Sequence, residues 1–109
     1  MKKNQPTTVE VTKADITTGT ELDGASMSVL DKDGNVIDSW TSVKDSPHVI
    51  KRLQVGKTYI LREELAPYGY LRATDVEFTI SDTAEVQKVK MEDEVPVARL
   101  LVNKKGEFL

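Results

Sequence analysis

The chain has 109 residues, 39% apolar and 30% charged, and a formal net charge of −3. These values suit one soluble domain with a single core and exclude a disordered acidic or basic tail. With 18 acids against 15 bases there is no basic footprint for nucleic acid or for an anionic membrane. Cysteine is absent, which removes disulfides and thiolate metal sites, and no apolar run approaches the ~20 residues of a membrane helix.

Alternation of apolar and polar residues predicts strands along the chain, and no segment shows a sustained helical period. TVEVTKA (8–14) places Val9, Val11 and Lys13 on one face. ASMSVL (25–30) groups Ala25, Met27 and Val29. DKDGN (31–35) is a turn signal, because Gly and Asn tolerate positive φ, and NVIDSWTS (35–42) continues as the second strand of a hairpin. PHVIKRL (47–53) and KTYILRE (57–63) flank a QVG turn, and an APYGY turn follows. DVEFTI (75–80) points Val76, Phe78 and Ile80 inward, and VQKVKMED (86–93) also alternates. Short strands separated by turn signals predict an all-β class, a sandwich or barrel. Residues 96–109, entered through Val-Pro-Val, offer a linker and then a final strand or the start of a following domain.

Period-2 counting puts three ionisable residues in line with core positions. Lys13 follows Val9 and Val11; Glu63 follows Tyr59 and Leu61, while Glu64 falls on the opposite face with Arg62; Asp93 follows Val89 and Met91. An unpaired buried charge is costly, so such groups pair or neutralise, and burial favours a neutral amine and a protonated carboxyl. If the three meet, a neutral Lys13 is a nucleophile and a protonated Asp93 an electrophile. A protonated Glu63 would then polarise the aspartyl carbonyl and shuttle protons, and the product would be an amide between side chains. A buried salt bridge, or strand ends bent into water, fits the same pattern, and periodicity alone favours these over the covalent outcome.

The remaining polar residues read as structural. His48 is the only histidine, so a histidine metal site or triad is not expected. Asp31, Asp33 and Asn35 have the look of a calcium loop, but Ser42 stands where an EF-hand needs its glutamate. Trp40 reads as packing, no serine sits in a nucleophile elbow, and no phosphate-binding glycine loop is present. The expected metals and cofactors are therefore none.

The stretch VTKADITTGTELDGASMSVLDKDGNVI resembles the opening of a Cna protein B-type domain, also called the SpaA-type or prealbumin-like domain of Gram-positive surface proteins and pilins. The resemblance rests on Lys13-Ala14-Asp15, Thr18-Gly19 and Leu22-Asp23-Gly24-Ala25. LQVGKTYILREELAPYGY is similar to the family's central motif at Leu53, Gly56, Tyr59, Leu61, Glu63, Ala66, Pro67, Gly69 and Tyr70, and VKMEDE resembles its closing strand. The resemblance implies an antiparallel β-sandwich of Ig-like, prealbumin-like form over residues 8–95, after a flexible segment 1–7. It also implies an isopeptide bond from Lys13 to Asp93 promoted by Glu63, with Asn103 as a second candidate acceptor. The implied role is a stalk or spacer in a cell-wall-anchored adhesin or pilin. Its partners would be neighbouring domains of the same protein and a host protein or glycan, without nucleic acid or membrane insertion. A host-ligand-binding module using the Tyr68–Tyr70 turn, or an accessory β-domain of a secreted enzyme, are the alternatives. MKKNQPTT has no apolar stretch behind its lysines, and the C-terminus shows no sorting signal, so an exported parent implies an excised piece.

Overall fold

A computed structural model describes residues 6–96. Among these residues seven strands occur: β1 (Thr8–Asp15), β2 (Ser26–Leu30), β3 (Val36–Thr41), β4 (His48–Lys51), β5 (Thr58–Leu65), β6 (Val76–Thr79) and β7 (Val86–Asp93). They form a sandwich of two sheets, with strand orders β4-β1-β7 and β3-β2-β5-β6. Each alternating sequence run became a strand because one face has a facing sheet to bury against. Val9, Val11, Ile50 and Met91 from one sheet meet Met27, Val29, Tyr59 and Leu61 from the other. β2 lies between β3 and β5, and it buries Ser28 and Leu30 as well as Met27 and Val29.

The pairings are antiparallel except one. β1 and β7 run parallel, in a register that opposes Lys13 to Met91 and Asp15 to Asp93. Side-chain alternation is identical in parallel and antiparallel strands, so it carries no sign of this direction. The parallel register sets the site: Lys13 and Asp93 lie on the same inner face, displaced by one inward position along the strands.

DKDGN forms the β2–β3 turn. The Asp31 carboxylate accepts the Asp33 and Asn35 amides at 2.9 Å each and the Asn35 side-chain amide at 3.1 Å. Gly34 takes φ 89°, which favours glycine. The acid oxygens are thus committed to the turn. The Asn35 side chain first, then its backbone N–H, hold the Asp31 carboxyl below the usual aspartate range. A depressed folded pKa stabilises above the unfolded value, about pH 4, and this contribution is lost as pH falls through the folded value. Asp31→Asn is therefore expected to flatten the acid limb of a urea-midpoint-versus-pH curve. A limb identical to the parent's would show that this turn does not report on folding.

Candidate functional site

The inner-facing ionisable residues converge at one end of the core. β1 supplies Lys13, β7 supplies Asp93 beside it in the same sheet, and β5 supplies Glu63 from the opposite sheet. Their relative exposures are 4%, 1% and 0%, whereas Glu64, the next residue on β5, is exposed. Lys13 Nζ is in direct contact with Asp93 Oδ1 and lies 3.3 Å from Glu63 Oε2. Met27 and Met91, paired in register with Glu63 and Lys13, are fully buried, so the surroundings are apolar.

Two carboxylates and one ammonium sum to one uncompensated negative charge, which such a site does not tolerate. Glu63 Oε2 and Asp93 Oδ2 are buried without a donor while both acids are ionised. A proton on Glu63 turns the two acids into donor and acceptor and makes the triad neutral. Burial raises the Glu63 carboxyl above the ordinary glutamate range, and a hydrogen bond with Asp93 raises it further. The Ala73 N–H and the Lys13 charge oppose this in smaller measure. Glu63 Oε1 accepts that N–H at 2.7 Å, and the Glu63 carbonyl accepts Arg72 Nε at 2.6 Å. Oε1 is thus engaged by the loop, and Oε2 is the Glu63 oxygen that faces Lys13.

The sequence marks Asp15 and Tyr70 only as motif positions, with Tyr70 also in a candidate ligand-binding turn, and it assigns no part to Arg72 or Ala73. Asp15 continues the inward parity of Lys13 and is buried, and its Oδ2 accepts the Tyr70 hydroxyl at 2.6 Å. The available signal was that parity, together with the Tyr that closes Ala-Pro-x-Gly-Tyr. Asn103 lies outside the described residues. His48 is engaged elsewhere: its Nε2 is 2.8 Å from Asp38 Oδ2, and its ring stacks on Trp40 at 4.0 Å and 9°. Because His48 is on β4 and both partners are on β3, this contact links the edge strands of the two sheets.

Among the described residues, a two-sheet sandwich whose first and last strands lie adjacent and parallel is the architecture of a prealbumin-like fold domain. The chain belongs to the SpaA prealbumin-like fold domain family, whose sequence model matches residues 7–95. No curated protein sequence matches it significantly. Among solved structures, the Bacillus anthracis TIE protein is similar at 24% identity and TM-score 0.71, covering 84% of this chain and 18% of that one. The group B streptococcus pilus 2b backbone protein is similar at 20% identity and TM-score 0.71, covering 86% and 43%. The shaft pilin SpaA of Lactobacillus rhamnosus GG is similar at 15% identity and TM-score 0.69, covering 87% and 49%. The chain thus spans between about a fifth and half of these matched chains. At these identities the likeness shows the shared fold.

Proposed function

We propose that residues 8–95 form a stalk module of a Gram-positive surface protein or pilus, locked by an isopeptide bond between Lys13 and Asp93. The observation that carries this reading is the contact of Lys13 Nζ with the Asp93 carboxyl beside Glu63, all three buried. Similarity to a pilus backbone protein and a shaft pilin supports the setting. That setting is extracellular and wall-anchored, with neighbouring domains of the same protein as partners; among the described residues no helix is long and apolar enough to cross a membrane.

The chemistry balances within the triad. Lysine ammonium plus aspartate carboxylate has the same atoms and protons as amine plus carboxylic acid, so one proton transfer inside the contact yields the reactive pair. Lys13 Nζ attacks Asp93 Cγ while the Glu63 proton stabilises the developing oxyanion. The Nζ–Cγ bond forms, Nζ gives up a proton, and the Cγ–O bond breaks with release of water. Glu63 ends with the proton count it began with. The reaction runs once per molecule, so the chain is not a turnover enzyme, and no cofactor takes part.

The parallel β1–β7 pair gives the bond its mechanical role. The chain enters β1 at Thr8 and leaves β7 after Asp93, at opposite ends of adjacent strands. Tension between those ends runs along β1 to Lys13, across the bond to Asp93, and out. The intervening residues, an 80-position separation, lie outside the load path. Single-molecule pulling should therefore release none of that segment, whose stretched length is about 270 Å. An unfolding step of that length in the parent chain would contradict the stalk role. The adhesin alternative rests on the APYGY turn, where Tyr68 is exposed and Tyr70 is committed to Asp15.

A further inference from the structure

We infer that the loop after β5 is a positioning device for the cross-linking step, and that Tyr70 holds it in place through Asp15. This rests on the isopeptide reading above. The three reactive side chains sit on β1, β5 and β7, yet no hydrogen-bonded ladder joins β5 to β1 or β7, because they belong to different sheets. Residues 70–73 make that connection. The Tyr70 hydroxyl donates to Asp15 Oδ2 at 2.6 Å, two residues from Lys13 on β1. The Leu71 N–H donates to the Glu94 carbonyl at 2.8 Å, one residue past Asp93. Arg72 Nε and the Ala73 N–H donate to the Glu63 carbonyl and to Glu63 Oε1 at 2.6 and 2.7 Å. Four consecutive residues thus bind beside, or directly to, each member of the triad.

Asp15 is prepared as the anchor. Its Oδ1 accepts the Thr17 and Thr18 amides at 2.7 and 2.9 Å, leaving Oδ2 for the tyrosine. The Ile16 N–H donates to the Asp93 carbonyl at 2.9 Å, so the anchor is itself fastened to β7. The Ala73 N–H occupies Oε1 and holds the carboxyl group so that Oε2 lies 3.3 Å from Lys13 Nζ. The Tyr70 hydroxyl bonds to Asp15 rather than to a reacting atom. Its removal frees the loop to drift and lets Glu63 turn, and displacements of about 1 Å in a reacting group can slow a reaction roughly a hundredfold.

The test is a time course on the full chain made by cell-free synthesis. After translation is stopped, aliquots are quenched for intact mass and tested in parallel for protease resistance, which reports folding. Tyr70→Phe keeps the ring and removes the hydroxyl. Thr79→Val is the control, removing the exposed Thr58–Thr79 hydroxyl contact of 2.8 Å at the far end of β5. Tyr70→Phe is expected to become protease-resistant on the parent's timescale but to lose water at least about tenfold more slowly. Thr79→Val should lose water at the parent's rate, so that lost stability alone does not explain the lag. Equal rates in the parent and Tyr70→Phe overturn the inference while leaving the cross-link intact. A parent chain that folds and never loses water overturns the isopeptide reading instead. Should Tyr70→Phe stay protease-sensitive, Asp15→Asn keeps the acceptor for the Thr17 and Thr18 amides and replaces the charged partner of Tyr70. Slower water loss in that folded variant supports the inference, and an unchanged rate overturns it.

Discussion

Lys13→Ala is expected to produce a large loss of stability, greatest at neutral pH. Removing one partner of a buried ion pair typically costs about 3–5 kcal/mol, because the remaining charge is stranded in apolar surroundings. Here two acids are stranded, Glu63 at 0% and Asp93 at 1% exposure. The variant also forfeits the proposed Lys13–Asp93 bond, and with it the covalent closure of a loop spanning 80 positions. In the chain-entropy model that closure stabilises by about 4.5 kcal/mol. Domain stabilities are about 5–15 kcal/mol, so the two losses together bring the variant close to unfolding. Its pH dependence follows from the raised Glu63 carboxyl. A raised folded pKa gives stability that is full below the unfolded value, about 4.3, and lost as pH rises through the folded value. Lys13→Ala should therefore be most stable in mild acid and weaken toward neutrality, as read by the urea midpoint of Trp40 fluorescence. Lys13→Met, which fills the space, should show the same pH trend with a smaller overall loss. A Lys13→Ala midpoint that matches the parent's across this range would mean that neither the bond nor the buried charge balance supports the fold.

Glu63→Gln is expected to fold and to remain at full sequence mass. Glutamine preserves the shape and keeps an oxygen to accept the Ala73 N–H, which Glu63 Oε1 takes at 2.7 Å. It cannot pass a proton between the attacking amine and the leaving oxygen, and loss of such a group slows reactions by roughly 10²–10⁴. Lys13 and Asp93 then remain a neutral ion pair with no stranded partner, so Glu63→Gln should be more stable than Lys13→Ala. Glu63→Ala should likewise stay uncross-linked, with a further loss from the cavity. Water loss in Glu63→Gln at the parent's rate would remove Glu63 from the mechanism.

Much of this arrangement was legible in the sequence because the side-chain period of a strand is 2. That period separated Glu63 from Glu64 and aligned Lys13 and Asp93 with core positions, and burial at all three follows it. The strand positions were legible for the same reason, since each alternating run faces a second sheet. The direction of β7 against β1 was not legible, because parity is blind to strand polarity. Nor was the register that sets Asp15 opposite Asp93. Asp15 shares the parity of Lys13, but the run TVEVTKA ends at residue 14, one position short of it. The contribution of residues 70–73 depends on loop path rather than periodicity, and Ala73 acts through a backbone N–H that any non-proline residue would supply.

The intact mass of the purified chain under denaturing conditions tests the cross-link most directly. A Lys13–Asp93 bond puts the mass one water below that of the sequence, with a protease-generated branched peptide joining the segments around Lys13 and Asp93. Loss of ammonia instead would assign the acceptor to Asn103. A mass equal to that of the sequence would contradict the cross-link and leave Lys13, Glu63 and Asp93 as a buried ion-pair network.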